Sequence, residues 1–282
     1  MCETFRFAFR SGMSAKSDLR GAIEAKVPLG VVAGLLTTAA MVLVIPRYLD
    51  EGGAVFVDSG AFAEKDSGIE PNWRDILFRY DTLANLADRH DRLYLVAPDK
   101  VGDQAESIRR LTRYRDRVIA LAKQGCQIIV PIQRGELPAN EMLNVVRDIL
   151  GGTPFIAGIP SNKDALPIEE CAAMRHHAFH ILGRVEMNDD QAARIAALRM
   201  LSPAATITAD ATWLRGTRRM KKVTQGTEAI AADRRKDRSA GNMPFTLDHP
   251  RALSVENALR EDLSWGNFKI NGESRGTFAH PH

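Results

Sequence analysis

A single (β/α)8 barrel is the fold this sequence predicts, on three observations. Six short apolar runs recur at a regular interval: VFVDSGAF (Val55–Phe62), LYLVAPD (Leu93–Asp99), IIVPIQRGE (Ile128–Glu136), FIAGIP (Phe155–Pro160), FHILGR (Phe179–Arg184) and TITAD (Thr206–Asp210). Each is continuous rather than alternating, as a parallel strand covered on both faces must be. Each also ends on residues able to do chemistry, which is where a barrel of this kind keeps its active site. A chain of 282 residues with 45% hydrophobic content matches the roughly 250 residues such a barrel uses. We read 1–282 as one domain, with a barrel core over about 27–213 and a basic loop and helical tail over 214–282.

Before the first of these runs, Val27–Pro46 carries no charge for about 20 residues, nominally enough to cross a bilayer. Pro28, Gly30, Gly34, Thr37, Thr38 and Pro46 punctuate it, so it reads as buried barrel made of strand, turn and strand-like pieces. Glu3, Asp18 and Glu24 ahead of it argue against a secretory signal. Between the runs the spacing turns helical. Ile76, Leu77, Tyr80, Leu83 and Leu86 predict a crossover helix over Asp75–Asp88, and Ile108, Leu111, Tyr114, Val118 and Leu121 one over Ala105–Lys123. Asn140–Leu150, Ile168–His177 and Asp189–Leu201 fill the next gaps, the last opening on acidic residues suited to a helix N-terminus. No glycine-rich phosphate fingerprint follows the first run, so a doubly wound sheet is the weaker alternative.

Past Asp210 the character changes. Ala211–Met243, rich in Arg, Lys, Thr and Gly, reads as an exposed loop with some helix. Phe245, Leu247, Leu253, Leu259, Leu263, Trp265 and Phe268 predict a final helix packed on the barrel, although the same apolar residues would serve a homodimer contact. The last residues, from about Asn271, read as frayed.

Net charge is only +3, yet RGTRRMKK (Arg215–Lys222) and RRKDR (Arg234–Arg238) concentrate positive charge, which points to a polyanion. Cys2, Cys126 and Cys171 are too few and scattered for a disulfide framework or a four-cysteine zinc site, and place the chain in a reducing cytoplasm. His176, His177 and His180 form a cluster whose spacing could bind metal, but without an acidic partner it reads as a surface helix.

The run ends, taken in order, resemble the motifs of the tRNA-guanine transglycosylases. VFVDSGAF is similar to a TDSGGFQ-type motif, IIVPIQRGE to GIVQGG, FIAGIPS to GLAVGE and FHILGR to YLMGVG, while TITADATW stands where that family keeps its catalytic aspartate. The short loops, VAPDKVGD and the ADATW ending are closer to the DNA-acting branch, the 7-deazaguanine DNA-modification (DpdA-type) transglycosylases. The resemblance covers roughly Leu29 to Trp213 and implies a barrel that exchanges guanine for a 7-deazaguanine such as preQ0, in DNA or alternatively in tRNA. It implies Asp210 as nucleophile and Asp58 as general acid/base. Asp99 and Gln133 would read the purine edge, with Asp103 in reserve, beside Ser59, Gly60 and Gly158, whose backbone N–H would face the base. The residue types suit the work: a carboxylate can capture the oxocarbenium-like C1′, a second can move the proton that the departing base needs, and a carboxylate with an amide can pair with donors and acceptors of guanine. Each also has an ordinary reading, an Asx turn for Asp58, a helix cap for Asp99 or Asp103, a solvated strand end for Gln133 and a turn glycine for Gly158.

Departures matter too. The family's C-x-C-x-x-C…H zinc site has no counterpart after Cys171, so no metal and no cofactor is expected, and the zinc-binding subdomain is absent or rebuilt. DSGAF replaces DSGGF, and AGIPSNKD replaces a longer glycine-rich segment, which implies a different pocket lid. Arg215, Arg218, Arg219, Lys221 and Lys222 follow the nucleophile and would meet the phosphates flanking an extruded nucleotide, with Trp213 placed to fill the gap it leaves. Two other classes use the same carboxylates: a small-molecule barrel lyase or hydrolase, and a catalytically inactive nucleic-acid-binding barrel.

Overall fold

The structure is a computed structural model that describes residues 5–13, 15–161, 166–241, 249–262 and 265–266. Eight parallel strands close into a barrel in chain order, β8 pairing back onto β1. The elements are β1 (Phe7–Ser11), α1 (Lys16–Glu24), β2 (Leu29–Val32), α2 (Ala39–Asp50), β3 (Val55–Asp58), α3 (Phe62–Ser67), α4 (Trp73–Leu86), β4 (Leu93–Val96), α5 (Gln104–Lys123), β5 (Gln127–Pro131) and α6 (Ala139–Ile149). They continue as β6 (Ile156–Pro160), α7 (Ile168–Ala173), β7 (Ala178–Leu182), α8 (Asp189–Met200), β8 (Thr206–Thr212), α9 (Thr217–Ser239) and α10 (Pro250–Glu261). All six apolar runs contain strands, and the crossover helices begin and end within a few residues of the expected bounds, except α7.

Local chemistry starts several of these helices. Side-chain oxygens of Thr38, Asn72, Asp103 and Asn188 accept from the backbone N–H three residues on, each satisfying a donor that a helix leaves orphaned. The outward faces of the strands pack beneath the helices in one continuous core. The inward faces build a second, smaller core around Phe9, Phe56, Tyr94, Val96, Ile129 and Ile156. Its aromatic rings touch: Phe9 lies 5.1 Å from Tyr94 and 5.8 Å from Phe56, centroid to centroid, and the His180 ring stacks on Phe56 at 4.8 Å. The middle of the barrel is therefore plugged.

Four sequence expectations need correction. The barrel core begins at Phe7 rather than near 27, because β1, interrupted by Arg10 and Ser11, never reads as an apolar run. Val27–Pro46 is strand only at β2; Thr38 caps α2, and Pro46 sits inside that helix despite the hydrogen bond a proline forgoes there. Among the described residues, no helix is long and apolar enough to cross a membrane. The expected loop over Ala211–Met243 is largely α9, a 23-residue helix with Val223 its one buried residue; being polar nearly all round, it offers no stripe for periodicity to detect. α7 stops at Ala173, so His176, His177 and His180 do not share a surface helix.

The expected final helix is α10, which packs on α1 and α9. Phe245, Leu247, Leu263, Phe268 and the segment from Asn271 lie outside the described residues.

Candidate active site

Alternation along each strand decides which side chains enter the barrel. On β8 it turns Thr208 and Asp210 inward, on β7 His180, on β3 Phe56 and Asp58, and on β1 Phe9 and Ser11. Asp210 is only 9% exposed. Its Oδ1 accepts from the Gly183 N–H at 2.8 Å and lies 3.3 Å from His180 Nε2, while Ser11 Oγ donates to its Oδ2 at 3.4 Å. Gly183 can aim that N–H because it holds φ at +78°, a conformation that side chains disfavour. His180 is fully buried, with Thr208 Oγ1 at 2.8 Å from its Nδ1. Gly30 clears room for Ser11: a Cβ there would overlap Ser11 Oγ.

Asp58 ends β3, three strands round the ring from β8, and its carboxyl is pushed up from 3.8 to about 6, first by burial and then by the negative charge of Asp210. Its Oδ1 also accepts from the Gly60 N–H at 3.0 Å, and Ser59 Oγ accepts from the Ala61 N–H at 3.3 Å. The Asx turn is therefore real and coexists with a position facing Asp210. Gly60, at φ +80°, shapes that turn, and the hydrogen bonds of Ser59 and Gly60 are spent inside it.

Asp99 and Gln133 come together as expected. Gln133 Nε2 donates to Asp99 Oδ2 at 3.0 Å, and Gln133 Oε1 accepts from the Gly102 N–H at 3.0 Å. Burial raises the Asp99 carboxyl to about 7, against the opposing Gln133 hydrogen bond. Behind them lies a pair the sequence did not reveal. Arg110, buried on α5, donates to the Asp99 carbonyl at 2.8 Å and forks onto both oxygens of Glu64 at 2.7 and 2.8 Å. Asp103 does not join this group: its side chain caps α5 by accepting from the Glu106 N–H at 2.9 Å, so it is corrected from a base reader to a helix cap.

The raised Asp99 carboxyl has a consequence for stability. The fold holds a proton up to about pH 7 that the unfolded chain releases near 3.8. The associated stability is full below 3.8 and is lost as pH rises through about 7. An asparagine in its place still accepts from Gln133 and never ionises. Asp99→Asn is therefore expected to be more stable than wild type at pH 8 by up to about 4 kcal/mol, since each pH unit between the folded and unfolded titrations is worth about 1.4 kcal/mol, with no such gain at pH 4. Thermal unfolding at both pH values checks this, and an equal difference at the two would refute it.

Gly158 on β6 faces a crowded interior. A Cβ would stand 3.0 Å from Ile129 Cγ2, 3.1 Å from Pro131 Cα and 3.2 Å from Leu182 Cδ1. Gly158→Ala is expected to destabilise the barrel by about 1–3 kcal/mol, an overpacking cost that a denaturant midpoint will show.

Of the basic residues, Arg215, Arg218 and Lys221 are exposed near the start of α9. The other two already have acidic partners. Arg219 donates to Asp262 at 3.1 Å and Glu186 at 2.9 Å and lies 4.7 Å from the centroid of Trp265, and Lys222 pairs with Glu261. The cause is the tail, which returns Glu261 and Asp262 to this end of the barrel. Trp213 cannot fill a gap in nucleic acid, being 1% exposed with its Nε1 bonded to Asp262 Oδ2 at 2.6 Å. The histidines also part company. His180 faces Asp210, whereas His176, 9% exposed, has its Nε2 2.8 Å from the Phe155 carbonyl at the other end of the barrel. Among the described residues, no group of three or more His, Cys, Asp and Glu side chains could hold a metal ion.

No family model matches the sequence, and no curated protein matches it either. Among solved structures, one that resembles it is a xylose isomerase-like TIM barrel/4-hydroxyphenylpyruvate dioxygenase fusion protein, at 11% identity and a TM-score of 0.48 over 86% of this chain and 46% of that one. The chain thus spans about half the length of that protein. Its own closed ring of eight parallel strands decides the fold. This chain is a TIM barrel. Two cavities of the barrel, of about 1050 and 330 Å3, open at its N-terminal end, away from the carboxylates. The candidate active site lies instead at the C-terminal strand ends, where Asp58, Asp99, Gln133 and Asp210 converge.

Three partners of the site escaped sequence reading: Ser11, His180 as a neighbour of Asp210, and the Glu64–Arg110 pair. The first two carry little signal, since Ser11 lies on β1, which does not read as a strand, in register with Thr212, and His180 lies on β7 in register with Thr208 rather than with Asp210. The third has none, because Glu64 and Arg110 are 46 residues apart.

Proposed function

We propose that this barrel is a base-exchange transglycosylase that replaces guanine in DNA with a 7-deazaguanine such as preQ0 through a covalent Asp210–deoxyribose intermediate. The observation that carries the reading is the pairing of two unlike carboxylates. Asp210 is surrounded by the Gly183 N–H, the Ser11 hydroxyl and His180, which suits an anion, while Asp58, whose carboxyl feels the Asp210 charge, retains a proton to about pH 6. Two titratable groups whose surroundings differ in this way fit a nucleophile and an acid.

In the first half-reaction an Asp210 carboxylate oxygen bonds to C1′ as the bond from C1′ to guanine N9 breaks, and the Asp58 proton passes to the departing base. In the second, the incoming 7-deazaguanine gives its N9 proton to Asp58, and N9 displaces Asp210 from C1′. Both carboxyl groups return to their starting states, and neither a metal nor a redox cofactor enters the balance. Asp99 and Gln133 offer a carboxyl group and an amide to the edge of the purine, and Arg215, Arg218 and Lys221 offer positive charge to flanking phosphates.

The test is mass spectrometry of nucleosides from DNA and tRNA of cells expressing the chain with a preQ0 supply. A deazaguanine deoxynucleoside that depends on the chain is the expected result. Modified tRNA alone would move the protein to the tRNA-acting branch, and an unchanged pair of pools would count against base exchange by this chain acting alone.

A further inference from the structure

We propose that the N-terminal end of the barrel carries a second binding site, for a phosphate monoester attached to a flat ring. The site is the cavity of about 1050 Å3, whose polar lining includes Asn140, Asn144, Arg147, Arg175, His176 and His177. It shares Pro154, Phe155 and His177 with the smaller cavity beside it, which extends to Arg6. Neither cavity is lined by any Asp or Glu, in a chain that has 35 of them. None of Arg6, Arg147 and Arg175 forms an ion pair among the described residues, so their positive charge is not offset at the cavity wall.

The arrangement is also held in place. Arg147 donates from Nη1 to Asn144 Oδ1 at 2.6 Å and from Nη2 to the Arg175 carbonyl at 2.7 Å, which fixes the guanidinium at the cavity wall. A planar, fixed guanidinium without a carboxylate partner matches a phosphate, which accepts from two N–H groups at once. The adjoining wall is aromatic. Phe155 and His176 have ring centroids 4.6 Å apart, His176 and His177 4.4 Å, and His177 is the exposed end of the row. Burial lowers the pKa of both histidines, His176 to about 4, so they present neutral ring faces at pH 7. A flat ring can lie against this row while its phosphate reaches the arginines. The volume accommodates a ligand of nucleotide size.

Calorimetric titration of the full chain with phenyl phosphate tests this, because the probe has the ring and the monoester but no purine. Saturable binding is expected, with inorganic phosphate at least tenfold weaker. Arg147→Gln and Arg175→Gln should each weaken phenyl phosphate at least fivefold, and Asp210→Asn should leave it unchanged. The exposed Arg175 provides a variant whose fold is not at risk. Absence of saturable binding would overturn the proposal, as would equal affinity for inorganic phosphate, or loss of binding in Asp210→Asn but not in the arginine variants. The outcome is independent of base exchange, which uses the opposite end of the barrel.

Discussion

Asp210→Asn is expected to lower base exchange by on the order of 10^4-fold or more while leaving the barrel folded, as removal of a covalent nucleophile does. The asparagine keeps the shape: its Oδ1 can still accept from the Gly183 N–H, and its amide can donate to the Ser11 hydroxyl that lies 3.4 Å from Oδ2 in the native site. What it lacks is a charge with which to capture C1′. Deoxynucleoside mass spectrometry reports the rate, and a denaturing gel of protein with guanine-containing DNA reports the covalent species, present for wild type and absent for the variant. Near-native activity in Asp210→Asn would remove the nucleophile from the mechanism. Asp58 then sets the pH profile of wild type. Its proton is largely gone above about pH 6, so the first half-reaction should slow as pH rises through that value, and Asp58→Asn should lose that dependence along with most of the rate.

Arg110→Met is expected to be the most damaging substitution for stability, by about 3–5 kcal/mol, because it strands the Glu64 carboxylate in the interior. Arg110 is 3% exposed and Glu64 9%, and both guanidinium Nη atoms are committed to the Glu64 oxygens, with Nε bonded to Glu106 at 3.0 Å. At roughly 2–4 °C per kcal/mol for a domain near this size, the melting temperature should fall by at least about 6 °C. Adding Glu64→Met to Arg110→Met should recover most of the loss, since an apolar pair leaves no buried charge behind. The Asp99 carbonyl would still lack its donor, so activity should recover less than stability. Melting within a degree of wild type for the single variant would show that the pair does not support the fold.

The strands β3 to β8 were legible because both their faces are covered and most of their residues are apolar until chemistry begins. β1 was not, since Arg10 and Ser11 interrupt it, and its membership is decided by pairing with β8 nearly the whole chain away. α2 was obscured by Pro46, whose turn-forming habit is overridden by packing of Ile45, Tyr48 and Leu49. The four polar side chains at the strand ends could be found because a parallel barrel always gathers those ends at one mouth. Their partners could not, because hydrogen bonds such as Ser11 to Asp210 span 199 positions and exist only once the ring closes. The pairing of Arg219 and Lys222 was hidden for the same reason: a basic cluster looks free until the tail that neutralises it has folded back.

The plug of Phe9, Phe56, Tyr94 and His180 across the middle of the barrel makes the carboxylate mouth a blind alley. A base released there has one way out, the way its replacement must come in. The traffic is therefore single-file. Guanine has to leave before the 7-deazaguanine arrives, so base exchange on this scaffold would follow double-displacement kinetics, with parallel lines in reciprocal plots and free guanine competing directly with the incoming base.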